Sequence, residues 1–129
     1  MKKDFLHFLW KHQKFPLNNL TTTQGSSLQV VNQGVYNTHA GPDFSDARLK
    51  IDVLDWIGHV EIHIKSSDWF AHQHQQDSNY DAVILHVVWE DDVLVVTQSG
   101  TLLPTLELSK IVSPKFLEHY QKQFLHRPQ

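Results

Sequence analysis

The stretch that decides the fold is HVEIHIK, residues 59–65, in which polar and apolar side chains alternate without a break. Alternation with a period of two predicts a β-strand that sends its two classes of side chain to opposite faces of a sheet. Val60, Ile62 and Ile64 make one face entirely apolar. The other face carries two imidazoles, a carboxylate and an ammonium group, so this strand is either the exposed side of a sheet or part of a functional site.

Segments on both sides of HVEIHIK predict its neighbours in the sheet. Residues 47–53 alternate in the same way, and residues 55–58 are predicted to form the turn of an antiparallel hairpin. Residues 82–90 are apolar on both faces except at His86, which is typical of a strand at the centre of a sheet. The intervening chain is long enough for a short helix and a crossover. We therefore expect residues 82–90 to run parallel to HVEIHIK as its immediate neighbour.

The remaining segments complete a single domain. Residues 4–12 and 113–126 each carry an apolar stripe at helical spacing, which predicts a helix near each end of the chain. Further strands are predicted at residues 28–31, 93–96 and 101–108. Together these elements predict one α+β domain over residues 1–129, with a mixed sheet of about five or six strands flanked by helices.

The composition removes several classes of function. The chain has 129 residues, no cysteine and a formal net charge of -3, with a pI near 6.3. It therefore has no disulfide framework and no thiolate metal site, and no overall basic surface for non-specific binding to nucleic acid. No apolar run approaches the roughly 18 residues of a transmembrane helix, and the first apolar segment is interrupted by charged residues. We expect a soluble cytoplasmic protein with no membrane partner.

Two carboxylates are predicted to meet at the hairpin. Asp43 precedes the first hairpin strand, and Glu61 lies in the second. Carboxylate oxygens suit the hard cations Mg²⁺ and Mn²⁺. His63 is a candidate to activate water or contact phosphate, and Lys65 to neutralise developing negative charge. The sequence therefore predicts metal ligands at Asp43 and Glu61 and catalytic groups at His63 and Lys65.

The order helix, strand, strand, strand, helix, strand over residues 4–90, with GPDF at residues 41–44, resembles the core of the PD-(D/E)XK nuclease superfamily. The resemblance implies a metal-dependent phosphodiesterase with a nuclease-like core and a nucleic-acid partner. It implies that Asp43 and Glu61 hold the metal and that position 63 assists the attacking water. The superfamily has lysine at that position, whereas this sequence has His63 and places Lys65 one step further along the same face.

Four strings within residues 37–92 resemble the N-terminal signature of an uncharacterised bacterial family, a domain of unknown function. They are NTHAGPDF, VEIHIKSSDW, HQHQQDSNYD and AVILHVVWEDD. Members of that family are typically several times longer and have no assigned chemistry. The resemblance implies that this chain is an N-terminal fragment or a short homologue. A missing C-terminal region of the same protein is then a candidate partner, and a site shared with it would be incomplete here.

A second group of candidate ligands follows the hairpin. His72 and His74 alternate and precede Asp77, a pattern similar to the zinc or iron sites of cupins and metallo-hydrolases, although the spacing departs from both. We expect both histidines to be solvated on a helix surface and Asp77 to be an ordinary loop residue. His86 is expected to be a core histidine hydrogen-bonded to a neighbour. Its alternative role is to support Glu61 as a metal ligand.

The polar face of HVEIHIK also has a purely structural interpretation. Its side chains would then pair across strands with Arg48, Lys50 and Asp52 on an exposed sheet surface. The chain would be a non-catalytic interaction or structural module of a longer protein, an interpretation that the modest negative charge favours. The sequence therefore leaves three hypotheses open: a metal-dependent nuclease, an interaction module, and a cupin-like metal-binding domain.

Overall fold

The computed structural model describes residues 1–126. Its α-helices are α1 (Lys3–Lys11), α2 (Asp68–Ala71) and α3 (Pro114–His126). Its strands are β1 (Leu20–Thr21), β2 (Ser27–Asn32), β3 (Val35–Tyr36), β4 (Phe44–Ile51), β5 (Leu54–Lys65), β6 (Val83–Glu90) and β7 (Thr105–Glu107). Short 3-10 turns lie at His74–Gln76, Ser78–Tyr80 and Leu108–Lys110. Among these described residues, no helix has the length and apolar character needed to cross a membrane.

The strands of the described chain form one mixed sheet. Its order is β1-β2-β4-β5-β6-β7, and β3 pairs with β4 outside this path. Neighbouring strands are antiparallel from β1 to β5 and parallel from β5 to β7. The α+β class, the helices near both ends and the parallel β5–β6 pair are therefore confirmed.

The apolar face of β5 lies at the centre of the core. Val60 and Ile62 are fully buried, and Leu9 of α1 is buried in the same cluster. Helix α3 joins this cluster through the rings of Phe5 and Phe124, whose centroids lie 5.5 Å apart in an edge-to-face arrangement. This packing fixes the register of β5, because a shift of one residue would turn its polar face into the core.

The β4–β5 hairpin turns at a different place from the one expected. Ile51 pairs with Leu54, so the turn is Asp52-Val53, and the predicted turn at residues 55–58 is wrong. Asp52 has a φ of 53°, a left-handed conformation that aspartate tolerates better than most residues. Its Oδ1 also accepts a hydrogen bond from the backbone N–H of Ser27 at 3.0 Å. These local contacts stabilise the tighter turn and lengthen β5.

The longer β5 changes which side chains face one another. Arg48 and Lys50 lie opposite the first part of β5, and Asp52 is in the turn, whereas Glu61 and His63 lie beside β6. The side chains of Glu61 and His63 are 2% and 1% exposed. The interpretation of HVEIHIK as an exposed, cross-strand-paired surface is therefore wrong, and its polar face is buried at these two residues.

The chain after β6 also departs from the expected strands. The Oγ of Ser66 donates to Oδ1 of Asp92 at 2.9 Å and accepts from the backbone N–H of Val93 at 3.0 Å. These bonds hold residues 91–93 against the start of α2, and no strand forms over residues 93–96. The strand predicted at residues 101–108 is reduced to β7. The two-residue strands β1 and β3 were not predicted, and they bring the sheet to seven strands.

Gly58 of β5 provides a test of how tightly β5 and β6 pack. A Cβ at this position would lie 2.5 Å from Cγ2 of Ile84 and 2.7 Å from the backbone oxygen of Ala82. Gly58→Ala is therefore expected to lower the free energy of unfolding by about 1–3 kcal/mol, because the backbone must shift to make room. Ile57→Ala, which removes a side chain that is 63% exposed, is the control and should cost about 0.5 kcal/mol. Urea denaturation measures both, and a Gly58→Ala variant as stable as wild type would contradict the packing.

Candidate functional site

Asp43 and Glu61 lie side by side at the start of β4. The backbone N–H of Asp43 donates to Oε1 of Glu61 at 3.1 Å, and the backbone N–H of Ile62 donates to Oδ2 of Asp43 at 2.8 Å. The pairing of Phe44 with Val60 fixes this arrangement, because it sets the residue before β4 next to the residue after Val60. The structure thus brings together the two carboxylates that the sequence predicts as metal ligands.

The two carboxyl groups titrate in opposite directions. Burial, the hydrogen bond with Asp43 and the negative charge of Asp43 raise the pKa of Glu61 to about 9. Burial also acts to raise the pKa of Asp43, but hydrogen bonds with His7 and Glu61 and the charge of Lys3 outweigh it and hold that pKa well below its ordinary range. At neutral pH the pair therefore retains one proton, on Glu61. A divalent cation would compensate both negative charges and displace that proton.

Helix α1 supplies a lysine and a histidine that the sequence reasoning missed. Nζ of Lys3 lies 3.7 Å from Oδ2 of Asp43, and Nε2 of His7 lies 3.5 Å from the same oxygen. Lys3 and His7 are one helical turn apart, so they share a face of α1. The packing of α1 against β5 brings this face to the carboxylates. The four-residue spacing of Lys3 and His7 was the only signal in the sequence. This spacing is too common on helices to have indicated Asp43 as the partner.

Two imidazoles approach Glu61, and a third lies beside one of them. Nε2 of His74 lies 2.7 Å from Oε2 of Glu61, and Nε2 of His63 lies 3.5 Å from the same oxygen. Nδ1 of His72 lies 3.2 Å from Nε2 of His63. Ligand nitrogens of the three histidines all lie within 4.8 Å of one another. Glu61, His63 and His74 are buried and His72 is exposed, so these four residues, here named the ligand cluster, reach solvent at His72.

The three histidine nitrogens of the ligand cluster are close enough together to hold one metal ion. Histidine nitrogen and carboxylate oxygen bind Zn²⁺ at about 2.0–2.2 Å, which puts adjacent ligand atoms about 3–3.5 Å apart. Nε2 of His74 is buried and has no hydrogen-bond partner of acceptable geometry, although Oε2 of Glu61 is close to it. The ligand cluster is therefore suited to hold a metal, with Asp43 adjacent to it.

Local conformation turns the two alternate histidines towards β5. Helix α2 ends just before His72, and the next residue, Gln73, has a left-handed φ of 57°. The ring of His74 then stacks on Tyr80, with centroids 3.7 Å apart, and meets the edge of Trp69 at 5.2 Å. These contacts bury His74, so the expectation that it is solvated is wrong. His72 is exposed as expected, but its ring is turned towards His63.

His86 supports the ligand cluster from the neighbouring strand β6. It is fully buried, and its Nε2 lies 2.8 Å from Nδ1 of His63, which confirms the expectation of a hydrogen-bonded core histidine. This bond orients the His63 ring and leaves its Nε2 to face Glu61 and His72. Burial lowers the pKa of His63 to about 2 and the pKa of His86 to about 3. Both rings are therefore neutral at neutral pH, the form in which histidine binds metals.

Two other predicted site residues lie outside the ligand cluster. Nζ of Lys65 pairs with Oε2 of Glu90 at 3.9 Å, and both side chains are more than half exposed. The side chain of Asp77 accepts a hydrogen bond from the backbone N–H of Asn79 at 2.9 Å and caps a 3-10 turn. Lys65 thus has a surface ion pair and Asp77 a capping role. The lysine that does approach the carboxylates is Lys3.

Comparison with known proteins assigns the chain to a family. The family described as "Protein of unknown function (DUF2851)" matches residues 3–128. The chain belongs to this family. The DUF2851 match includes α1, which supplies Lys3 and His7, as well as the ligand cluster. No curated protein and no solved structure matches the chain. The predicted resemblance to an uncharacterised family is confirmed, and it extends beyond residues 37–92.

Glu61→Gln tests whether the buried carboxyl retains a proton when no metal is bound. The pKa of Glu61 rises from 4.5 to about 9 on folding, so the unfolded chain releases this proton first. The stability of the wild-type protein should therefore fall as pH rises from about 4.5 to about 9. The Glu61→Gln side chain carries no such proton, so this variant should not show the loss. In EDTA, the melting temperature of Glu61→Gln should exceed that of wild type by a margin that grows from about pH 5 to about pH 8.

The matched control for this experiment is Glu90→Gln. Glu90 lies at the exposed end of β6, where its side chain is 54% accessible. Its replacement should change the free energy of unfolding by no more than about 0.5 kcal/mol at any pH in the series. Differential scanning fluorimetry of both variants decides the question. A margin for Glu61→Gln that stays constant with pH would show that no proton is held.

Proposed function

We propose that this protein is a metal-dependent hydrolase of nucleic-acid phosphodiester bonds, with one ion held by the ligand cluster. The observation that carries the proposal is a group of three imidazole nitrogens within 4.8 Å of one another, two of which approach Oε2 of buried Glu61 beside the carboxylate of Asp43. A site that only stabilised the fold would need nothing beyond the ligand cluster. The adjacent Asp43, Lys3 and His7 are the kinds of group that hydrolysis requires in addition.

The topology supports a nuclease-like core. Apart from the two-residue strands β1 and β3, the chain runs α1, β2, β4, β5, α2, β6, and these four strands pair antiparallel, antiparallel and parallel. This is the order on which the resemblance to PD-(D/E)XK nucleases rests. Asp43 directly precedes the second of these strands and Glu61 lies in the third, the positions that the resemblance assigns to metal ligands. His63 stands where that superfamily has its lysine.

The donor set favours a transition metal. Imidazole nitrogen suits Zn²⁺, whereas Mg²⁺ and Mn²⁺ prefer oxygen ligands and Mg²⁺ keeps several waters. Of the two ions that the sequence suggested, Mn²⁺ fits three histidines better than Mg²⁺ does, and the histidines add Zn²⁺ as the favoured candidate. A cupin-like domain is not proposed, because cupins are double-sheet jelly rolls and the present sheet is single and mixed.

The residues around the ligand cluster have distinct roles in this reaction. The bound ion would lower the pKa of water and neutralise charge on the phosphate. Asp43 stays ionised and accepts hydrogen bonds, so it can orient the attacking water. Lys3, whose side chain is 35% exposed, is placed to stabilise the negative charge that builds on the phosphate. Nε2 of His7 lies 3.5 Å from Oδ2 of Asp43 and is placed to exchange a proton there.

Metal binding is tested by thermal stability. Zn²⁺ or Mn²⁺ at about 100 times its dissociation constant should add roughly 2.7 kcal/mol to the stability of protein first stripped with EDTA, whereas Mg²⁺ should add little. His74→Gln should remove most of this gain because it deletes a buried ligand. His119→Gln, on the exposed surface of α3, should retain it. An equal gain in both variants, or none in wild type, would exclude an ion at the ligand cluster.

Hydrolysis is tested with bis(p-nitrophenyl) phosphate and with oligonucleotides in the presence of the stabilising ion. Glu61→Gln and Asp43→Asn are each expected to lower kcat/KM by about 100-fold or more, because one removes a ligand and the other the acceptor for the attacking water. Glu90→Gln should leave the rate unchanged. A rate that falls less than about tenfold in both site variants would place the hydrolysis elsewhere.

A second candidate function is a non-catalytic interaction module of a longer protein. One observation favours it: Val53, Leu54 and Ile57 at the β4–β5 hairpin are 84%, 58% and 63% exposed. Neighbouring apolar side chains of this kind mark surfaces that bind other protein segments. In that case the ion would stabilise the arrangement of the ligand cluster but would not catalyse hydrolysis. Metal-dependent stabilisation together with no cleavage of any phosphodiester would favour this second candidate.

A further inference from the structure

A pocket of about 600 Å³ lies next to the carboxylates, between α1, β3 and α3. This volume is in the range of sites that bind small organic ligands. The lining includes Asp4, His7, Phe8, Lys11, Tyr36 and Phe44. His7 is shared, because its ring lines the pocket while its Nε2 lies 3.5 Å from Oδ2 of Asp43. The pocket and the proposed site of hydrolysis are therefore separated by one side chain.

Tyr36 gives this pocket an aromatic surface. Its side chain is 43% exposed, yet its ring is held in place by Phe44, with centroids 5.4 Å apart, and by the edge of His7 at 5.6 Å. The pairing of β3 with β4 sets Tyr36 directly opposite Phe44. A supported ring that remains partly open to solvent is the arrangement on which proteins stack nucleic-acid bases.

Basic side chains connect the carboxylates to this aromatic surface. Lys3, His7 and Lys11 follow one another at intervals of four residues and therefore lie along one face of α1, about 6 Å apart along the helix axis. Lys3 and His7 approach Asp43, and Nζ of Lys11 lies 5.9 Å from the centre of the Tyr36 ring. Such a row attracts a phosphate backbone and leads it from the pocket towards the ligand cluster.

We propose that this pocket binds one unpaired nucleobase, stacked on Tyr36, while the adjoining phosphates lie along Lys3, His7 and Lys11. Asp4, which also lines the pocket, offers an acceptor for the exocyclic amino group of the base. The inference rests on the proposed function and names its substrate class as single-stranded nucleic acid. Duplex is disfavoured, because a stacked and paired base must leave the helix before it can enter the pocket.

The test measures binding of a fluorescently labelled single-stranded oligodeoxyadenylate by anisotropy, in EDTA so that no cleavage occurs. Tyr36→Ala should raise Kd about tenfold or more, because it removes the stacking surface. Tyr36→Phe keeps the ring and should bind like wild type. Val35→Ala, in the same short strand and with a side chain that is 71% exposed, is the matched control and should also bind like wild type.

The same assay tests the row of basic side chains on α1. It also tests whether the bound base belongs to a strand or to a free nucleotide. Lys11→Gln should weaken binding and flatten its salt dependence, whereas Lys50→Gln, on the exposed face of β4, should do neither. Unlabelled adenosine monophosphate should displace the probe and ribose 5-phosphate should not. Displacement by oligonucleotide alone would still support the pocket and assign it to strands rather than free nucleotides. Equal affinity for the same oligonucleotide annealed to its complement would overturn the proposal.

A further variant separates this proposal from the proposed function. His74→Gln removes a member of the ligand cluster and should leave binding in EDTA unchanged. If base-dependent binding is found but no variant or metal gives cleavage, the proposed function is wrong and the pocket stands. If cleavage requires the ligand cluster while folded Tyr36→Ala keeps the wild-type Kd and KM, the pocket proposal is wrong and the function stands.

Discussion

Burial of the Glu61 carboxyl within the sheet is the constraint on which the rest of this structure depends. A carboxylate that is 2% exposed is costly unless other groups compensate it, and several elements contribute to that compensation. The residue before β4 donates a backbone N–H, β5 and the chain after α2 supply imidazoles, and α1 brings a lysine and a histidine to the neighbouring Asp43. The positions of these elements are therefore linked through one side chain.

Much of the fold was predictable because it follows from local geometry. The alternation in residues 59–65 was sufficient for the strand, and the length of the connection to residues 82–90 was sufficient for the parallel crossover. Hairpin pairing then placed Asp43 beside Glu61. The position of the turn was not predictable, because it depends on the left-handed conformation of Asp52 and on its bond to Ser27, which the alternation does not encode.

The candidate site was less predictable than the fold, for a physical reason. Whether His74 is solvated or buried depends on the single left-handed residue Gln73 and on contacts with Trp69 and Tyr80, which follow from tertiary packing. Lys3 reaches Asp43 only because α1 crosses the sheet at one particular place. Lys65 shows the converse case, since strand alternation put it on the correct face but not within reach of the carboxylates.

All members of the ligand cluster come from the short span of residues 61–74. The proposed ion would close only a small loop of chain there and would remove little entropy from the unfolded state. The apolar face of β5 with α1 and α3 holds the domain together without using this segment's imidazoles. Substitutions among those imidazoles would therefore alter or abolish the proposed metal site while the apolar core stays in place. A domain built in this way can gain or lose a metal-dependent activity during evolution while its core sequence stays the same.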